Sequence, residues 1–220
     1  YHTLSIGDYS YKLVKEIFSK DSSLIDVRRI REFFASGNAE ALRAVAEINK
    51  ELFVSEANSY VSTWLCPRIA RRDNHVGYYD ETTFPKLKKL FELLRDNAPE
   101  HLGEFFSVQG GNGLAVMHYA AYVGDLAFIK AMYATDAGKA AMKAKTRDGA
   151  TTLRIAILRG KDNRAAVEEL IQYPEVAGSI STLEKDDRCI FHLFEDTSSR
   201  VSPEVLKVIL RKLPESRKLL

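Results

Sequence analysis

Cys66, His75 and Asp80 have the residue types of a thiol nucleophile, its base and an orienting acid. A cysteine nucleophile needs a base within hydrogen-bond reach and usually a third group to hold that base. The neighbours of Cys66 are Trp64, Leu65 and Ile69, the composition of an apolar helix face, which points instead to a buried, inert thiol. Cys189 and His192 have C-x-x-H spacing, half of a zinc site. Structural zinc takes four ligands, and no other Cys or His lies nearby in sequence. Gly110-Gly111-Asn112-Gly113 lacks the Lys-Ser/Thr of a phosphate loop and follows no strand-like run. Arg68, Arg71 and Arg72 cluster near Tyr78 and Tyr79, in a stretch that reads either as a solvated loop or as a recognition loop. The Cys66 set has its residue types but no family-specific sequence around the cysteine, and the other sets are incomplete. The expectation is a chain without catalysis, metal or cofactor.

The elements that would carry these residues are helical. Val27, Ile30, Phe33 and Phe34 recur at the spacing of one helix face, and Leu42, Val45, Ala46 and Ile48 form another after Ser36-Gly37-Asn38. Thr83-Phe84-Pro85 reads as a helix start with Pro85 at the first position, followed by Leu87, Leu90, Phe91 and Leu94 as an apolar stripe. Pro99 opens a short helix through Phe106, and Ser202-Pro203-Glu204 opens one that carries Val205, Ile209 and Leu210. No stretch alternates as an exposed strand would. The expected fold class is all-α.

Composition narrows the function classes. Of the 220 residues, 45% are hydrophobic and 28% charged, ordinary for a globular chain large enough to bury a core. The 32 basic and 30 acidic residues nearly cancel, without the basic excess of a typical nucleic-acid binder, so no nucleic-acid partner is expected. No apolar run approaches a membrane span, so no membrane insertion is expected. Two distant cysteines suit free thiols in a reducing, cytoplasmic setting. The chain starts at Tyr1 and ends on Lys218-Leu219-Leu220, as expected of a piece of a longer protein.

An internal repeat organises the second half. Asn112-Gly113-Leu114-Ala115-Val116-Met117-His118-Tyr119-Ala120-Ala121-Tyr122-Val123-Gly124 is followed by Asp148-Gly149-Ala150-Thr151-Thr152-Leu153-Arg154-Ile155-Ala156-Ile157-Leu158-Arg159-Gly160. A weaker third unit begins Asp186-Asp187-Arg188-Cys189-Ile190-Phe191-His192. The offsets are 148 − 112 = 36 and 186 − 148 = 38. Each of the first two units is followed by a second apolar helix, Leu126, Ile129, Met132 and Tyr133 in one, and Val167, Leu170 and Ile171 in the other. Upstream, Phe34 to Leu42 fits the end of a first helix, a glycine stop and the start of a second, with 124 − 37 = 87 residues between the two stops.

These units resemble the ankyrin pattern D-G-x-T-P-L-H-x-A-A-x-x-G, clearly over residues 108–212 and faintly over 28–107. The resemblance implies a helical-repeat solenoid of stacked antiparallel helix pairs. Its regular part is expected at 108–220. A less regular helical part is expected at 1–107, with one or two degenerate repeats and an insertion at 71–83. The first helix of one distorted repeat is placed near Ser55 to Ala70 and the second near Pro85 to Asp96. The threonine–histidine pair that pins turn to helix in this family is incomplete: Ala115 with His118, Thr151 with Arg154, Cys189 with His192. His118 and His192 are then structural residues near turns.

The resemblance also implies which residues are displayed on the concave side. They are Asn112, Leu114, Tyr122 and Val123 in the first unit. The second supplies Arg147, Asp148, Ala150, Leu158 and Arg159, and the third Lys185, Asp186 and Arg188. Apolar Tyr122, Val123 and Leu158 rimmed by charge have the composition of a protein-binding patch. The functional expectation is a monomeric, non-catalytic scaffold for a protein partner of unknown identity. It would work in the cytoplasm, or in a host cytoplasm if the parent is a secreted bacterial effector. The competing expectation is a substrate-recruiting arm of an enzyme, with Cys66 as a nucleophile in the N-terminal part.

Overall fold

The computed structural model describes residues 11–21, 24–65, 83–159, 163–180, 193 and 202–213. Among these, the regular elements are helices: α1 (Tyr11–Lys20), α2 (Val27–Ser36), α3 (Ala39–Ile48), α4 (Lys50–Trp64) and α5 (Thr83–Asn97), then a 3₁₀ turn (Pro99–His101). After the turn come α6 (Leu102–Ser107), α7 (Val116–Val123), α8 (Leu126–Tyr133), α9 (Asp136–Ala141), α10 (Thr152–Leu158), α11 (Arg164–Leu170), α12 (Pro174–Ala177) and α13 (Pro203–Lys212). The described residues thus form an all-α fold, with extended pairing limited to two isolated bridges, Gln109 with Ala115 and Lys145 with Thr151. No helix among the described residues is long and apolar enough to cross a membrane.

The apolar stripes read from the sequence are the buried faces. Ile30, Phe33 and Phe34 of α2 are buried, and so are Leu42, Val45 and Ala46 of α3 and Leu87, Leu90, Phe91 and Leu94 of α5. Val27, counted with the first stripe, is exposed at the first position of α2. Helix α5 starts at Thr83, two residues ahead of the Pro85 start. Pro85 still lies in the first turn, where no intrahelical bond needs its missing N–H.

One device joins helices twice. Gly37 ends α2 at φ 69°, and Asn38 caps α3 by accepting the Ala41 N–H at 3.0 Å. Gly124 ends α7 at φ 77°, and Asp125 caps α8 by accepting the Phe128 N–H at 2.9 Å. A left-handed residue turns the chain without a Cβ penalty only when it is glycine, and the Asn or Asp carboxamide or carboxylate oxygen satisfies an orphan N–H of the next helix.

From α7 onward two groups of helices match, α7–α8–α9 and α10–α11–α12, and their first and second members pack on each other, α7 on α10 and α8 on α11; α6 packs on α9 and α13 lies beside α11. The starts of the helices repeat at 152 − 116 = 36, 164 − 126 = 38 and 174 − 136 = 38 residues. The short third helices α9 and α12 were not expected from the sequence. They occupy chain that would otherwise be loop.

The core is continuous across position 107, where the sequence placed a boundary. Phe128 of α8 meets Phe84 and Phe91 of α5 edge-on, at 5.4 Å and 5.1 Å between centroids. Farther along, Tyr133 stacks on Tyr173 at 3.7 Å. Such pairs add about 0.5–1.5 kcal/mol each beyond their buried area. Ion pairs link α5, α8, α11 and α13: Lys88 with Asp125 (2.7 Å), Lys130 with Glu169 (3.3 Å) and Arg211 with Glu168 (3.4 Å). Solvent reaches all three, so they fix register more than they add stability.

Candidate interaction face on the first helices

Two matching hairpin turns set the position of α7 and α10. In the first, Gly110 N–H donates to the Leu114 carbonyl and Gly113 N–H to the Gly110 carbonyl, both at 2.9 Å. In the second, 36 residues on, Thr146 N–H donates to the Ala150 carbonyl at 3.0 Å and Gly149 N–H to the Thr146 carbonyl at 2.9 Å. Gly113 and Gly149 make the turns at φ 77° and 87°. Arg147 N–H donates to the Asn112 carbonyl at 2.8 Å and so joins one turn to the next.

The incomplete Thr–His pairs divide the capping work. His118 Nδ1 accepts the Ala115 N–H at 3.0 Å. Its Nε2 therefore carries the proton and donates to the Ala144 carbonyl of the following unit at 3.2 Å. In the second unit the threonine half remains, and Thr151 Oγ1 accepts the Arg154 N–H at 3.3 Å. His118 is fully buried, and burial pushes its pKa down to about 4. A neutral imidazole with both nitrogens engaged and no path to solvent is a structural link, as the sequence suggested, and cannot serve as a general base.

At the other end of the helices, Asn163 ties the units together. It is buried, and its Nδ2 donates to the Ala121 carbonyl at 2.7 Å and to the Ala156 carbonyl at 2.9 Å. These are the last turns of α7 and α10. Its Oδ1 lies against the bare Cα of Gly124.

With both helices fixed, Tyr122 at the end of α7 meets Arg159 at the end of α10. The Arg159 guanidinium sits over the Tyr122 ring, 5.0 Å from its centroid. Tyr122 and Leu158 are partly buried and rest on the core, while Val123 is 41% exposed. At the turn tips, Arg147 and Asp148 are exposed and Asn112 is half-buried. Leu114 and Ala150, expected among the displayed residues, are instead buried at 6% and 9% exposure. Each follows the positive-φ glycine and returns along the second arm of its hairpin, where the side chain turns under the helix start. Lys185, Asp186, Arg188 and Gly160 lie outside the described residues. So do Cys66, His75, Asp80, Arg68, Arg71, Arg72, Tyr78, Tyr79, Cys189 and His192. Among the described residues, no group of three or more His, Cys, Asp or Glu stands together as a metal site.

The sequence reading missed a second feature. A groove of about 190 Å³ opens between the α2–α3 turn, the end of α4 and the start of α5, walled by Phe34 and Trp64 and rimmed by Lys86 and Lys89. Trp64 was read only as an apolar neighbour of Cys66. The groove needs four separate segments, and periodicity within any one of them does not reveal it. No family model, no curated protein and no solved structure matches this chain.

Proposed function

We propose that this chain is a non-catalytic, protein-binding module of ankyrin-like repeats, and that it engages its partner with the face formed by Tyr122, Val123, Leu158 and Arg159. The twin hairpins, the left-handed glycine after α7 and the packing of α7 on α10 support the repeat reading. Repeat stacks of this kind build extended concave surfaces from their first helices and turns. The observation that carries the functional reading is the Arg159–Tyr122 contact beside exposed Val123. A cation held on an aromatic ring is already oriented, and Tyr and Arg are the residues that most often dominate interface energy. Arg147 and Asp148 are exposed at the turn tips, at the opposite end of the two helices, and extend the polar surface beyond the patch.

A photoreactive amino acid placed at Val123 tests the reading. The control carries the same group at Ala127, exposed on α8 in the second-helix row. Irradiation in extract of the source cells should give a discrete protein adduct from position 123 and none from 127. Equal adducts from both positions, or an adduct from 127 alone, would refute the assignment of this face.

A further inference from the structure

The groove at the α2–α3 turn shares no lining residue with the α7–α10 face. It has an apolar floor of Leu42, Leu90 and Leu93 and one aromatic wall, formed by Phe34 and Trp64, whose rings meet edge-on with centroids 6.1 Å apart. Its volume of about 190 Å³ corresponds to roughly six waters at liquid density, or one large apolar side chain. Gly37 forms one side, and a Cβ built there would meet nothing within 4 Å, so the space over the glycine is open. Water held against such walls gains little hydrogen bonding, and an apolar group would displace it favourably.

Among the described lining residues, the charged ones are Lys86 and Lys89. Lys89 makes an exposed pair with Glu92 at 3.5 Å. Lys86 makes no ion pair among the described residues, and its ammonium stands 5.8 Å from the Trp64 ring centroid. An apolar ligand bearing a carboxylate complements this arrangement.

The groove does not end with its apolar part. It shares Ala39, Lys89 and Leu93 with a second depression of about 290 Å³ that is bordered by Arg43 and Arg95 as well as Glu40, Glu92 and Asp96. Together they follow α5 from Pro85 to Asn97. At 1.5 Å per helical residue that is roughly 18 Å, the length of five or six extended residues. A compact amphiphile would fill the apolar part alone. A peptide uses the polar continuation as well, because its backbone and polar side chains meet groups of both signs there.

We propose that this trough binds an extended acidic peptide segment of a partner protein, with one bulky apolar side chain over Leu42, Leu90 and Leu93, against the touching Phe34 and Trp64 rings, and an adjacent carboxylate on Lys86. The site is separate from the face of the proposed function and stands or falls independently of it.

Trp64 is the only tryptophan in the chain, so its fluorescence reports occupancy directly. Four probes are titrated into the whole chain: N-acetyl-leucine, its uncharged amide, octanoate, and an acetylated hexapeptide with one leucine flanked by aspartates. The peptide should shift Trp64 emission with an affinity at least tenfold above N-acetyl-leucine, and N-acetyl-leucine should bind several-fold above its amide. Lys86→Met should abolish the preference for the carboxylate without changing the urea midpoint of unfolding. Val123→Asp, on the other face, should leave peptide affinity unchanged. Octanoate binding tighter than the peptide would replace the proposal with an amphiphile site. No response to any probe would overturn it, and so would a carboxylate preference that survives Lys86→Met.

Discussion

Replacing Gly124 by alanine tests the junction that aligns α7 with α10. Gly124 has φ 77°, so alanine there pays the left-handed penalty of about 1–2 kcal/mol. The new Cβ would also fall on Asn163 Oδ1. Asn163 must then move, and it holds the Ala121 and Ala156 carbonyls at 2.7 Å and 2.9 Å. Two buried hydrogen bonds at a net ~1 kcal/mol each bring the expected total to about 3–4 kcal/mol. Gly37 is the internal control. It has φ 69°, but its Cβ position is empty, so Gly37→Ala should cost only the backbone term of about 1–2 kcal/mol. Urea unfolding followed by circular dichroism measures both. A cycle completes the test: in an Asn163→Ala background, Gly124→Ala should fall to the Gly37→Ala value, a coupling of about 2 kcal/mol. Equal costs at the two glycines, or no coupling to Asn163, would refute the reasoning.

Two further outcomes follow from the first-helix caps. His118 is held neutral with its pKa lowered from 6.5 to about 4, so between those values the unfolded chain takes up a proton that the folded chain does not. Its contribution is therefore complete above pH 6.5 and is lost as pH falls, by about 3 kcal/mol on reaching pH 4; urea midpoints across that range should fall less steeply in His118→Gln than in the parent, and identical slopes would contradict the burial argument. Thr151→Ala removes the bond to the Arg154 N–H and should cost about 1 kcal/mol, measured by the same unfolding assay, with no loss of helix content beyond α10.

Much of the fold was legible because its signals are local. The stripes of α2, α3 and α5 follow from spacing alone, and Gly37-Asn38 and Gly124-Asp125 announce a stop and a cap within two residues. The short α9 escaped because Asp136 to Ala141 carries no apolar stripe; it is set by the Thr135 hydroxyl, which accepts the Gly138 N–H at 3.0 Å, and by packing against α6. The inward turn of Leu114 and Ala150 was illegible for a related reason. A hairpin residue faces core or solvent according to the twist imposed by the preceding glycine, and composition does not encode that twist. The meeting of Tyr122 with Arg159 was not legible either: the resemblance put both on the displayed side, and their contact follows from the packing of α7 on α10. The Asn163 clamp was missed because an asparagine before a helix reads as an ordinary cap. Here its side chain makes no capping bond and spans two units instead.

The most direct test of the central proposal is the charge-altering double variant Val123→Asp with Arg159→Glu. Both positions are exposed, so the pair should cost no more than about 1–2 kcal/mol, most of it from the Arg159 contact with Tyr122 and the charge reversal at the end of α10. The measurement is affinity for the protein that crosslinks to position 123, read beside the urea midpoint of the same sample. The account predicts a folded variant whose midpoint shifts no more than that cost allows and at least a tenfold loss of affinity. The same folded variant with full affinity would contradict it.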